Sequence, residues 1–357
     1  MISSKRHHEV AARRRTAGFT LVELMIAMIL GLLLIAGVGS VFIANKDAYR
    51  TNEALSQAQE SARTSFEFLA REIREAGANP CGTANVASVL NPGGDPMLYS
   101  NGPIQGWDDA ASIPATVASL PASGTGAPIG GESAIRLASA KDSGLALEPM
   151  TGPRANVKLQ SPTTQISPDD IVMLCDVDKA TIFQVTNYNS ANRTVVHNTG
   201  GGDPGNQTKC LNHPVPPDPD APGPGASGAA CNDFSPSSYL AIPVNYIWYV
   251  GTNRDGGRSL YRYGVSQNPV PGQPTELVRG VWGMTVTYHE PTNSAGNAYY
   301  SAANVNNWAN VDAVRLEMTV RSRGFQPGGT RGAGTDAQRL QRAFTTTVGM
   351  RNRLNGN

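Results

Sequence analysis

The stretch "RRRTAGFTLVELMIAMILGLLLIAGVGSVFIANK", residues 13–46, decides the architecture of this 357-residue chain. Between Leu24 and Ala44, 21 consecutive residues carry no charge. As a helix that rises about 1.5 Å per residue, this run spans the roughly 30 Å hydrocarbon core of a bilayer. Arginines precede the run, and the sequence contains no second apolar run of this length. The positive-inside rule therefore predicts a single-pass topology, with the N-terminus in the cytoplasm and the rest of the chain across the membrane.

The helical pattern continues beyond the apolar run. Apolar residues recur at spacings of three and four, which marks one face of an α-helix. These positions are Leu55, Ala58, Ala62, Phe66, Leu69, Ile73 and Ala76. An amphipathic helix needs a surface to cover its apolar face, and the sequence that follows is the natural candidate.

The end of this helix is also predictable. No proline interrupts the pattern until Pro80, which bars continuation, and Gly77 offers a C-cap. We therefore predict one helix over Phe19–Ala76, with a hydrophobic transmembrane half at 19–45 and an amphipathic half at 46–76.

Charge is concentrated at the N-terminus. Residues 1–18 contain five basic residues and one acidic residue, so the remainder has 24 basic and 27 acidic residues and a formal charge of −3. This mildly acidic remainder has no basic patch and predicts no nucleic-acid partner. The 38 glycines and 25 prolines favour a loop-rich β domain over a helical bundle.

Residues 77–357 are predicted to form a β-rich globular head. Short alternating or apolar runs, bounded by turn residues, are typical of antiparallel strands. They lie at 133–139, 170–177, 180–188, 193–198, 275–290, 311–323 and 342–354, with a hairpin at 244–265 around "NRDGG". The Pro/Gly-rich segment 199–230 predicts a long surface loop, either a tolerated insertion, which we favour, or a recognition surface. The fold class is α+β, a long N-terminal helix packed on an antiparallel sheet.

Four cysteines follow the predicted membrane segment: Cys81, Cys175, Cys210 and Cys231. They have no zinc-site spacing, and an oxidising compartment favours one or two disulfides. Four cysteines allow three pairings. We favour Cys210–Cys231, which brackets one loop and leaves Cys81 for Cys175; free thiols are the alternative.

Catalytic motifs are absent from the sequence. It contains no nucleophile-elbow, zinc-protease or phosphate-binding-loop pattern, and none of its five histidines has a partner at a recognisable spacing. The sequence therefore predicts neither an enzyme, nor a cofactor, nor a metal site.

Glu23 is the unusual residue of the apolar segment. A carboxylate inside hydrocarbon costs several kcal/mol unless it is paired, so such an acid is a functional candidate. An acid at the cytoplasmic interface is the alternative interpretation, because its cost there is small.

The residues around Glu23 favour a functional role. The run from Gly18 and Phe19 to Glu23, within "GFTLVELMIAMILGLLL", resembles the processing site and N-terminal helix of type IV prepilins. The resemblance implies that prepilin peptidase removes a basic leader, residues 1–18, and methylates the new amino group of Phe19. It also implies that Glu23 pairs with the N-terminal ammonium of a neighbouring subunit. Two opposite charges buried together cost less than either alone, which makes such a pair suited to fixing subunit register.

The C-terminal segments carry a second resemblance. "SLYRY", "ELVRGVWGMTVTY", "AVRLEMTVRSR" and "VGMRNRLN" follow one another in the order typical of the PilW family of minor pilins. They are more distantly similar to pseudopilin J of type II secretion. This resemblance implies a type IV pilin-like fold, and it leaves the middle of the chain, about 80–240, unassigned.

The two resemblances imply a structural function. We expect a minor pilin needed for type IV pilus assembly, in a priming or tip complex with other minor pilins. Its expected partners are prepilin peptidase, other minor pilins, the major pilin, the pilus assembly machinery and inner-membrane lipid. Its expected location is the bacterial inner membrane, with a periplasmic head, and then the pilus, at the tip. A type II secretion pseudopilin and a pilus-tip adhesin are the alternatives.

Overall fold

The structure is a computed structural model that describes residues 18–78, 80–82, 86–91, 103–150, 156–200, 204–211, 234–265, 272–293, 298–322 and 341–351. The basic leader before Gly18, Cys231 and most of the predicted 199–230 loop lie outside the described residues.

The predicted long helix is present. Helix α1 (Leu21–Glu75) has 55 residues, a length of about 82 Å. It ends because Gly77 adopts a φ of +73°, and the Gly77 N–H donates to the Ala138 carbonyl oxygen at 2.9 Å. This bond turns the chain onto a strand of the head. Both ends lie within two residues of the predicted Phe19–Ala76, and Gly77 and Pro80 marked the C-terminal end.

Fifteen strands follow the helix in the described parts of the chain. They are β1 (Val86–Ser88), β2 (Ile104–Trp107), β3 (Ala134–Ala146), β4 (Val157–Lys158), β5 (Ile171–Cys175), β6 (Ala180–Gln184), β7 (Asn187–Asn189), β8 (Thr194–Val196), β9 (Tyr239–Thr252), β10 (Arg258–Gly264), β11 (Thr275–Arg279), β12 (Val281–His289), β13 (Tyr299–Tyr300), β14 (Ala313–Arg321) and β15 (Gln341–Gly349).

The strands form three sheets. The largest has eight strands in the order β1-β6-β5-β9-β10-β11, with β3 on the other side of β9 and β2 beside β3. A four-stranded sheet has the order β13-β12-β14-β15, and a three-stranded sheet has the order β4-β8-β7. All pairs are antiparallel, as expected, except β1 with β6, which are parallel.

One predicted strand, 275–290, is in fact two. Gly280 separates β11, in the eight-stranded sheet, from β12, in the four-stranded sheet. Its φ is +84°, and a Cβ there would lie 2.8 Å from the Arg321 carbonyl oxygen. The corner between the two sheets therefore requires glycine.

Helix α1 joins the two larger sheets through its last turns. Leu69 and Ile73 are fully buried in one cluster with Trp248 of β9 and Met284 of β12. Five of the seven predicted apolar positions of the amphipathic half are buried, and Leu55 and Phe66 are half-buried. The head therefore supplies the surface that the amphipathic pattern required.

A disulfide closes the region that follows the helix. Cys81 is bonded to Cys175 at the end of β5, with their Cα atoms 4.9 Å apart. This is the pair that the sequence analysis left after favouring Cys210–Cys231. Cys210 is also in a disulfide. Since Cys231 lies outside the described residues, the pairing of Cys210 with Cys231 stays a prediction.

Candidate assembly interface

The apolar half of α1 has no partner surface in the described chain. Its large apolar side chains between Leu21 and Ile43 are each more than half exposed. Helix α1 is the one described helix long and apolar enough to cross a membrane. In water this surface would be strongly unfavourable, so it belongs in lipid or against other apolar helices.

Three glycines lie on this bare half. A Cβ added to Gly31, Gly37 or Gly39 would meet no heavy atom within 4 Å, the local helix backbone aside. Packing within the described chain therefore does not require glycine at these positions. Small residues at these positions would let another helix approach closely.

The predicted cleavage site precedes the helix. Gly18 and Phe19 are non-helical, and the Phe19 side chain is 86% exposed. Apart from its chain neighbours, no described residue has a heavy atom within 4 Å of a Cβ position at Gly18.

Glu23 caps its own helix. Its Oε2 accepts the Thr20 backbone N–H at 3.1 Å and the Thr20 hydroxyl at 3.1 Å. In return, the Thr20 hydroxyl oxygen accepts the Glu23 N–H at 3.2 Å, which completes a capping box. The other carboxylate oxygen, Oε1, accepts no hydrogen bond from the described residues. Glu23 can therefore cap the helix and still bind a donor from another chain.

The sequence analysis missed this capping box, although the signal was present. Thr20 stands three residues before Glu23, which is the threonine-to-glutamate spacing of the motif.

A second acid anchors the other end of α1 to the head. The Glu72 carboxylate accepts hydrogen bonds from the Trp248 indole N–H and from Arg262 at 3.1 Å. Burial raises the pKa of Glu72, and the two hydrogen bonds offset part of the rise. The Arg262 guanidinium also lies over the Tyr246 ring, 4.4 Å from its centroid. Sequence alone offered no signal for this contact, because Glu72 resembles the exposed acids around it.

Two family models match the chain. The type IV pilus-assembly protein W (PilW) model matches residues 247–352, and the prokaryotic N-terminal methylation motif matches residues 13–39. Over these two regions the chain is similar to PilW-type, type IV pilus-related pilins. Searches of the curated proteins and of the solved structures found no match.

The two matched regions fall on the parts of the structure just described. The methylation motif covers the Gly18–Phe19 bond, Glu23 and much of the bare apolar half. It implies processing by prepilin peptidase and involvement in pilus assembly with other pilins. The PilW region runs from β9 to β15 and supplies most of the surface on which α1 rests. Both matches indicate a structural subunit.

Proposed function

We propose that this PilW-like pilin is a minor subunit of the type IV pilus that is needed for pilus assembly. The proposal rests on one combination, a PilW region that holds the amphipathic half of α1 and leaves the apolar half bare. A helix of this kind is built to lie in lipid before assembly and against other helices afterwards. It acts with other minor pilins in a priming complex at the fibre tip. A head as large as residues 77–357 suits a tip better than a crowded shaft.

Processing and pairing complete the proposal. Prepilin peptidase cleaves after Gly18 and methylates the new N-terminus of Phe19. The Glu23 carboxylate then binds the N-terminal ammonium of a neighbouring subunit, for which Oε1 is available while Oε2 keeps the helix cap. The pair neutralises two charges that would each be costly in an apolar filament core.

Mass spectrometry of sheared surface fibres tests the proposal. We expect an N-terminal peptide that begins at N-methylated Phe19 in the sheared fraction. Gly18→Glu should leave uncleaved precursor in the membrane. Gly31→Ala, a glycine change elsewhere in the apolar half, should be processed normally. The mature peptide found in the envelope and never in fibres would instead favour a type II secretion pseudopilin.

A further inference from the structure

The last strand of the protein lies at an open sheet edge. Over its nine residues, β15 pairs with β14 on one side, from Arg321 with Gln341 to Ala313 with Gly349. No described strand pairs with its other side. The groups on that side are therefore available to another chain.

The register identifies the open groups. In an antiparallel strand the N–H and C=O of one residue point to the same side, and the side alternates along the chain. The Met350 N–H donates to the Asp312 carbonyl oxygen at 2.8 Å, so even-numbered residues of β15 face β14. The odd-numbered residues face outward: Gln341, Ala343, Thr345, Thr347 and Gly349.

A second observation fixes the same register. The Met284 N–H donates to the Glu132 carboxylate, and the Met284 carbonyl oxygen accepts the Ser133 N–H. Both bonds lie on the side of β12 away from β14. Odd-numbered residues of β12 and β14 therefore bond each other, and even-numbered residues of β14 face β15.

The edge lacks the features that usually protect edge strands. Protective devices include prolines, charged side chains, bulges and very short strands. β15 contains no proline, and its register with β14 runs through nine pairs without a shift. Its one charged residue, Arg342, is an even-numbered position whose N–H and C=O face β14. Its outward positions Ala343, Thr345 and Thr347 are exposed and uncharged. By contrast, the opposite edge strand of this sheet, β13, has two residues.

The position of β15 indicates which molecule meets this edge. Phe344 packs beside Ala58 and Ala62 of α1, about 20 Å along the helix from Ala44 at the end of the bare apolar half. β14 and β15 thus pack on the helix turns that lead into that half. A neighbouring subunit whose helix packs on the bare half would place its head on this side of the molecule, beside β15.

We propose that β15 is a docking edge onto which a neighbouring, different pilin subunit adds an extended strand. This inference rests on the proposed function, because it needs an adjacent subunit in the fibre. Main-chain hydrogen bonds to the odd-numbered residues would provide the affinity, and the threonine-rich outer face would suit β-branched side chains.

Thr345→Pro in the full chain tests the docking edge. Because the Thr345 N–H faces outward, proline removes one docking donor and leaves the β14 ladder intact. Thr345→Val keeps the N–H and is the matched control. We expect Thr345→Pro to lower the amount of this protein in sheared fibres at least tenfold, whereas Thr345→Val should be incorporated near the wild-type level. The melting temperatures of both variants and of the wild type in detergent micelles should agree within a few degrees. A folded Thr345→Pro variant incorporated at the wild-type level would overturn the inference.

Residue-resolved amide exchange of the wild-type chain gives a test that needs no variant. The amides of Ala343, Thr345 and Thr347 should exchange fast in micelles and at least tenfold more slowly in fibres, while even-numbered amides stay protected in both. Equal exchange of the odd-numbered amides in micelles and fibres would overturn the docking edge and leave the proposed function intact. Absence of the wild-type chain from fibres would overturn both. Odd-amide protection in the purified chain, together with a dimer by light scattering, would show that a second copy occupies the edge.

Discussion

At the scale of single residues, two glutamates define the two ends of α1. Glu23 closes the helix N-terminus and keeps one carboxylate oxygen free of described donors. Glu72 lies near the other end, where it holds Trp248 and Arg262 of the head. The first acid keeps one carboxylate oxygen without a described donor, whereas both carboxylate oxygens of the second accept hydrogen bonds from the head.

Substitutions at Glu23 separate its two roles. Glu23→Gln retains an oxygen that can accept the Thr20 N–H but loses the charge, whereas Thr20→Ala weakens the cap, by about 1 kcal/mol, and retains the charge. If the charge pair directs assembly, Glu23→Gln and Glu23→Ala should both be processed normally and yield few fibres. Thr20→Ala should yield fibres near the wild-type level. Quantitative immunoblots of sheared fibres measure this, and wild-type fibre levels with Glu23→Gln would refute the charge pair.

Glu72 predicts a pH dependence of stability with a definite sign. Its folded pKa is raised, so its contribution to the free energy of unfolding is fully present below the unfolded value near 4.5 and is lost as pH rises through the folded pKa. As pH rises from the unfolded pKa to the folded pKa of Glu72, the free energy of unfolding should therefore fall less for Glu72→Gln than for the wild type. Glu72→Ala should cost about 1–3 kcal/mol at neutral pH, since two buried donors lose their acceptor.

Urea unfolding in detergent micelles at several pH values measures this difference. Glu75→Gln is the matched control, because Glu75 forms an exposed pair with Arg71 on the same helix. Parallel pH profiles of Glu72→Gln and wild type would contradict the assignment.

At the scale of elements, the sequence predicted the features that depend on interactions between residues close in the chain. The helix was predictable because an apolar run and a periodic run follow one another without a proline until Pro80. The strand positions were largely predictable because their alternation is local. Assignment of strands to sheets was not, since it depends on the positive φ of Gly280 and on contacts between distant segments.

Pro243 shows why one strand boundary was missed. The sequence suggested a strand from Val244, but β9 begins at Tyr239 and includes the proline. The Val265 N–H donates to the Asn245 carbonyl oxygen, so by alternation the Pro243 nitrogen faces the same side of β9. On that side, β5 pairs with β9 up to Ala241, and β10 pairs with β9 from Tyr246 onward. Pro243 lies between these two paired stretches, so no ladder bond is lost. The missing N–H is therefore tolerated.

The Cys81–Cys175 disulfide should contribute strongly to head stability. It joins residues 94 apart in sequence, and constraining a loop of that length in the unfolded chain is worth about 4 kcal/mol. The double variant Cys81→Ser/Cys175→Ser should lower the free energy of unfolding by about that amount. Denaturant unfolding measures it, with Cys210→Ser compared separately because Cys210 is also disulfide-bonded. A change below about 1 kcal/mol in the double variant would contradict the prediction.

At the scale of the whole molecule, the protein divides at the middle of its helix. Before Lys46, large apolar side chains are bare, and from Ala54 onward one face is buried against the head. The apolar half, which contacts nothing in the described head, thus adds little to head stability. The amphipathic half stabilises the protein by packing on the sheets.

A truncated chain tests this division. A protein starting at Lys46 behind a cleavable secretion signal should be soluble in the periplasm and remain folded. Its melting temperature should lie within a few degrees of that of the full chain. A matched truncation starting at Arg63 also removes Ala58 and Ala62, which pack against Val320, and it should melt several degrees lower. The full chain should stay in membranes after an alkaline carbonate wash. If the Lys46 truncation also stayed in membranes, the head itself would bind lipid, and anchoring by the apolar half alone would be wrong.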